Sequence, residues 1–253
     1  MRALWLIGLW AFCGAASAAA GSVTLLTGKA TALTPDGTVR NLSKGSQVES
    51  GEVISSGAGT YVNLKFADGG LILLRPNTRF QIERYAYEPK PAPKAATGQT
   101  AKPSPSAGTQ PRARPSAFFR LLKGGLRTVT GLIGKVNHND YRLATPTATI
   151  GIRGTEVFAY TCHAGCSNDA AVLAALKDVF GDKNFSFDKS DIIGTLDGEV
   201  NVKNNTTGEN SPLTKGKFTI STTTQEGNVP LDDPGSNLGG GGDLLQLDPK
   251  NCK

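Results

Sequence analysis

The chain reads as all-β, a roll-like fold or sandwich of short antiparallel strands with one short helical excursion at about 167–180. Three observations lead there. Short runs carry apolar residues at every second position, Asp-Gly pairs punctuate those runs, and two similar β blocks occur far apart in the chain.

Residues 1–20 have the layout of a secretory leader. Arg2 starts it, Ala3 to Ala15 is apolar, and Ala18-Ala19-Ala20 suits a small-residue cleavage site after Ala20 or Ala18. An uncleaved anchor is the other outcome, since the run approaches the ~20 residues that span a bilayer. Either way the body of the chain is expected outside the cytoplasm, periplasmic or secreted. With the leader cleaved, no integral membrane span is expected to remain.

The first β part is expected over 21–88. Val23, Leu25, Ala30 and Ala32 precede the turn Pro35-Asp36-Gly37, and Val39, Leu42 and Val48 follow. The clearest strand is Tyr61–Phe66, with Val62, Leu64 and Phe66 on one face. Asp68-Gly69-Gly70 then turns the chain into Leu71–Leu74, and Phe80–Tyr85 alternates again.

Residues 89–116 break the pattern. Seven of the chain's 14 prolines fall here, with no branched aliphatic or aromatic side chain, so the segment is expected to be a solvated, disordered linker interrupting the fold. It also holds Lys90, Lys94, Lys102, Arg112 and Arg114 and no acid, which accounts for most of the net charge of +6. The remainder is close to neutral. Nucleic-acid binding is therefore not expected, because it needs basic groups clustered on structured surface.

The second β part is expected over 117–224. Phe118–Val136 has apolar residues at helical spacing, but Gly124, Gly125, Gly131 and Gly134 would cost a helix about 4 kcal/mol relative to Ala. Short strands, or one helical turn with glycine bends, fit better. Next comes Thr145-Pro146-Thr147-Ala148-Thr149-Ile150-Gly151-Ile152-Arg153-Gly154-Thr155, a strand-like run with one charge between two glycines. Paired glycines around an arginine indicate a bend or bulge that re-aims the cation. Arg153 then either ties down a loop through charge-assisted hydrogen bonds or faces a ligand.

Cys162 and Cys166 span a short loop and are expected to form a disulfide in an oxidising compartment, leaving Cys252 free or intermolecular. A metal site from Cys162, His163 and Cys166 is disfavoured, since adjacent residues of a strand point to opposite faces and no second ligand pair follows. Ser167 can cap the short helix.

The final block repeats the first. Gly28 to Gly45 reads Gly-x-Ala-x-Ala, Asp36-Gly37, Leu42-Ser43-Lys44-Gly45, and Gly198 to Gly216 reads Gly-x-Val-x-Val, Thr207-Gly208, Leu213-Thr214-Lys215-Gly216. Two such blocks imply a pseudo-repeated sandwich or stacked β-roll layers. Residues 225–253, with Gly239 to Gly242 in a row, are expected to form a flexible tail.

No catalytic constellation, phosphate loop or calcium loop stands out, so no enzymatic activity, cofactor or metal is expected. His138 lies in a polar turn, Asn137-His138-Asn139-Asp140, and the acids sit mostly in Asp-Gly turns.

Taken together, these marks resemble the FecR domain family, named for a periplasmic regulator in iron-dicitrate signalling. They are the Gly28 strand, Leu42-x-x-Gly45 with Gly51-Glu52-Val53-Ile54, Ala67-Asp68-Gly69, Arg75-Pro76-Asn77-Thr78, and Thr145 to Thr155. The block Gly131-Leu132-Ile133-Gly134-Lys135 is similar to a feature of stand-alone members. The resemblance implies a roll-like domain that works by protein contact in the cell envelope. Regulators of this family also carry a cytoplasmic sigma-factor-binding segment, a membrane span and a C-terminal subdomain, which this chain is expected to lack. Asp68, Arg75, Arg153, Gly154 and Thr155 are the candidate contact residues by motif position. An exposed sheet edge would be one way to recruit a partner strand. The partner expected is an envelope protein, with an envelope polymer (peptidoglycan or polysaccharide) as the alternative and thiol–disulfide chemistry at Cys162 and Cys166 behind both.

Overall fold

The computed structural model describes residues 19–88, 114–136, 138–163 and 189–231. The bulk of the expected leader and linker, the excursion at 167–180, Cys166, Cys252 and most of the tail lie outside them. The strands are β1 (Gly21–Leu26), β2 (Ala30–Leu33), β3 (Val39–Asn41), β4 (Gln47–Val48), β5 (Val53–Ser56), β6 (Val62–Phe66), β7 (Leu71–Leu74) and β8 (Arg79–Ala86). Then come β9 (Ser116–Val129), the single-turn helix α1 (Leu132–Val136), β10 (Tyr141–Ala144), β11 (Ala148–Thr161), β12 (Ser190–Asn204), β13 (Asn210–Thr214), β14 (Phe218–Thr222) and β15 (Asn228–Leu231). The fold is sheet-rich, in line with the all-β reading.

Three long strands organise everything else. β9 pairs with β8 over its first half and with β7 over its second. β11 leaves β10 for β9, and β12 leaves β14 for β13. Each exchange happens at a glycine with left-handed backbone: Gly124 (φ +78°), Gly154 (+62°) and Gly198 (+79°). Other residues adopt that backbone at a cost of roughly 1–2 kcal/mol, so the glycines are where a strand can fold from one layer into the next. One layer therefore runs β3-β2-β5-β8-β9-β10-β11-β12-β13 and the other β4-β1-β6-β7-β9-β11-β12-β14-β15.

The bend in β9 is filled rather than open. Thr78 sends its hydroxyl to the carbonyl of Gly125 (2.9 Å) and accepts the Gly125 amide (3.0 Å), so a side chain stands in for the missing ladder partner. Ser56 in turn receives the Thr78 amide and donates to the carbonyl of Arg75 (2.6 Å). A Cβ on Gly124 would lie 2.8 Å from Thr78 Cα. Gly124→Ala is expected to destabilise the fold by about 2–4 kcal/mol, combining left-handed backbone with overpacking. Urea unfolding checks this; a loss below about 1 kcal/mol would mean the bend relaxes freely.

Between the layers sits one core. Phe119 is at its centre, with ring centroids 5.0 Å from Phe66, 5.5 Å from Phe80 and 5.6 Å from Tyr141. Ile54, Leu64, Leu74, Leu126, Ile150 and Val202 surround this cluster, all fully buried. Burial of such side chains contributes roughly 1.5–3 kcal/mol each. The outward face of β7, β11, β12 and β14 is buried as well, at Leu73, Phe158, Ile192 and Ile220. Asn63, on that outward side of the clearest strand, is accordingly buried too.

The repeated blocks occupy opposite ends of the strand order. In the first, Gly45 donates its amide to Val23 O (2.8 Å); in the second, Gly216 donates to Thr195 O (2.7 Å), each after a buried leucine. Glu52, buried among polar neighbours, takes two close contacts from Arg40 Nη2 (2.7 and 2.9 Å) and the Glu49 amide (3.0 Å), which ties β3 to the β4–β5 corner.

Several expectations need correction. Phe118–Val136 is neither a helix nor several short strands: Ser116–Val129 is one 14-residue strand, followed by one helical turn. Ser116, expected in the linker, is buried at its start. Asn228–Leu231, expected in the flexible tail, pairs with β14 as an edge strand. The sheet edges are also poor docking sites among the described residues: β3 and β4 have three and two residues, and Pro212 in β13 and Pro230 in β15 each remove a donor. No helix among the described residues is long and apolar enough to cross a membrane.

Candidate binding surface

Asp68 stands in the turn between β6 and β7, where an aspartate side chain commonly bonds its own backbone. It does so here, accepting the Gly70 amide at 3.1 Å. It also reaches across the molecule. Its second oxygen accepts the Ile133 amide (3.2 Å), and its carbonyl accepts the Leu132 amide (3.0 Å), so Asp68 captures the first N–H groups of α1. Tyr85 donates its hydroxyl to the carboxylate (3.0 Å) and accepts the Asp68 amide (2.8 Å). Burial first, and then the Asp68 charge, push the Tyr85 phenol well above the ordinary tyrosine range, which keeps it a donor. Asp68 is buried and serves as the anchor of α1 rather than as a contact residue.

Gly131 makes this anchoring possible, because a Cβ there would run into the Asp68 carboxylate and the Gly70 amide. The glycines that weigh against a long helix are thus what lets a short one sit this close. On its outer side α1 presents Leu132 and Val136, 52% and 82% exposed and one turn apart. Lys135 is exposed between them.

The bulge of β11 lies directly against this turn. The ladder to β12 shifts register between Arg153 and Glu156, leaving Gly154 and Thr155 unpaired in it. A Cβ on Gly154 would be 3.5 Å from Lys135 Cγ, an ordinary contact. Arg153 is exposed and has no side-chain hydrogen bond or ion pair among the described residues. The bulge leaves Arg153 in register with Glu199 on β12, with its side chain exposed. Of Thr155 only the strand position is described.

The structure therefore gathers Asp68, Arg153 and Gly154 around α1, and separates Arg75 from them. Arg75 lies at the other end of β7, is buried, and donates its amide to Gly125 O (2.9 Å), where it supports the bend in β9. Cys162 is buried at the end of β11.

The start of the signature run is also structural. The Thr147 amide (2.8 Å) and hydroxyl (2.5 Å) both donate to Asp191, and both residues are fully buried. Asn204 completes the corner by donating to Ser221 Oγ and Thr222 O, each at 2.9 Å. Sequence reasoning missed Asp191. Its signal was an acid abutting the apolar pair Ile192-Ile193, where a carboxylate is tolerated only with donors supplied.

The fold and this surface together define a sheet-rich, roll-like fold carrying a small amphipathic turn with two exposed apolar side chains. No family model matches the chain, and no curated protein matches it. Two crystal structures of a candidate anti-sigma factor from Parabacteroides distasonis ATCC 8503, at 2.50 and 1.65 Å resolution, are similar to 72% of it, with 13% identity and a TM-score of 0.41. The chain spans about 60% of the length of those proteins. A structure described as a cell surface anchoring domain is similar to 25% of the chain and matched over 83% of its own length, at 27% identity and a TM-score of 0.24.

Proposed function

We propose that this chain is a non-catalytic interaction module of the FecR type, working outside the cytoplasm and docking a partner protein on the α1–Gly154 surface. The observation that carries the reading is the exposure of Leu132 and Val136 beside Lys135 and Arg153, on a turn held rigid by a buried aspartate. Single exposed apolar side chains such as Val39 are ordinary, whereas apolar side chains grouped on one surface mark interaction sites, and Leu132 and Val136 stand one turn apart. A partner segment offering apolar anchors and a carboxylate complements the patch. The non-catalytic part is supported by the buried acids, since Glu52, Asp68 and Asp191 each accept hydrogen bonds from structural donors. The leader-like start supports an envelope location, and the FecR-like motifs, Thr145 to Thr155 above all, support a role in signal relay.

The test is site-specific photo-crosslinking in the intact envelope. A crosslinker at Val136 should trap one defined partner, while one at Lys44, exposed in the turn before β4, should not. Arg153→Ala should weaken capture at least about tenfold without changing the melting temperature. Equal adducts from both positions, or unfolding by Arg153→Ala, would reject this surface.

A further inference from the structure

We infer that the exposed outer face of β10–β13 holds a second binding site, independent of α1, for a single chain of an acidic, uronate-bearing polysaccharide. The site is a groove of about 240 Å³ lined by Arg142, Thr149, Gly151, Asn201, Lys203 and Asn210, with Asn139 and Tyr141 at the β10 end. Register places Arg142, Gly151 and Asn201 side by side on three adjacent strands, and Thr149, Lys203 and Asn210 in the next such row. Two strand spacings put Arg142 on β10 and Asn201 on β12 roughly 10 Å apart across Gly151.

Gly151 carries the argument. Its backbone is ordinary β, and a Cβ there would meet only Asn201 O at 3.9 Å. Gly124, Gly131 and Gly194 are different, since a side chain at each would collide. Nothing in the packing requires glycine at 151, yet glycine inside a strand sacrifices stability, and it commonly marks a place where a ligand approaches the backbone.

The walls indicate what approaches. Arg142 and Lys203 are cations and no acid lines the groove. Arg142 is pre-positioned over the Phe118 ring, its Cζ 4.7 Å from the centroid, which leaves its N–H fork for a carboxylate. The Asn201 amide donates to Asn210 Oδ1 (3.1 Å), and Thr149 donates to Asn205 Oδ1 (2.9 Å), so the polar wall is oriented in advance. Amides both donate and accept, as sugar hydroxyls do. A peptide would want an apolar pocket for an anchor, and the one large apolar side chain on this lining, Tyr141, is buried in the core.

The full chain is titrated calorimetrically with oligogalacturonate, with neutral dextran and with poly-glutamate. Oligogalacturonate should bind, more weakly as salt rises, and dextran should not. Gly151→Val should keep or raise the melting temperature and weaken binding at least tenfold. Arg142→Gln and Lys203→Gln, both surface changes, should each weaken it roughly tenfold, the effect of losing one charge-assisted hydrogen bond. Val136→Asp should leave it unchanged, which separates this site from the α1 surface. No binding at low salt, undiminished binding by Gly151→Val or by the Arg142→Gln and Lys203→Gln proteins, or tighter binding of poly-glutamate would each overturn the inference.

Discussion

Replacing Asp68 with alanine should lower the free energy of unfolding by about 3–5 kcal/mol, among the largest effects of any single substitution outside the apolar core. The carboxylate receives the Gly70 and Ile133 amides and the Tyr85 hydroxyl, in a site with almost no solvent access. Alanine leaves these donors without an acceptor, and unmatched buried donors cost about 1–3 kcal/mol each, offset where water can enter. Tyr85→Phe removes one donor and should cost only about 1–2 kcal/mol. Hydrogen exchange gives the more specific readout: in Asp68→Ala the Leu132 and Ile133 amides should exchange far ahead of those in β7. Wild-type protection at those amides would refute the anchoring role, and it would also remove the rigid support on which the proposed docking surface depends.

The second large effect is expected at Asp191. It accepts both the amide and the hydroxyl of Thr147, and neither residue meets solvent. Asp191→Ala should cost about 3–4 kcal/mol, because it leaves two buried donors unmatched and opens a cavity. Thr147→Val removes one donor and keeps the shape, so about 1–2 kcal/mol is expected. Chemical denaturation of the two variants and their combination tests the pairing: the double substitution should cost clearly less than the two effects added. Full additivity would mean the residues do not act together.

Much of the β architecture was legible in the chain itself. The alternation of Val62, Leu64 and Phe66, the Asp68-Gly69 turn into Leu71–Leu74, and the matched Gly28 and Gly198 blocks each express a period or a turn requirement confined to a few neighbouring residues. The paired glycines around Arg153 likewise announced a bend, and β11 is bulged there. What could not be read locally was the partner on the other side of each feature. In Phe118–Val136 the apolar residues fall at helical spacing and the glycines indicate short strands or a single helical turn, whereas pairing with β7, β8, β10 and β11 makes 116–129 one strand. Asp68 looked like a surface turn residue because its own neighbours are turn residues; α1, some 65 positions later, is what buries it. Arg75 is a candidate by its own motif, Arg75-Pro76-Asn77-Thr78, but strand direction carries it to the opposite end of β7 from Asp68.

Sequence alone thus determined the strand-rich class, the turns and the bend at Arg153, since steric limits on φ and the two-residue period of a strand act within a short window. The tertiary structure decided which charges are structural and which are presented. Burial, hydrogen-bond partners and strand register depend on residues tens of positions away, and those distances alone turn Asp68 and Asp191 inward while leaving Arg153, Leu132 and Val136 on the outside.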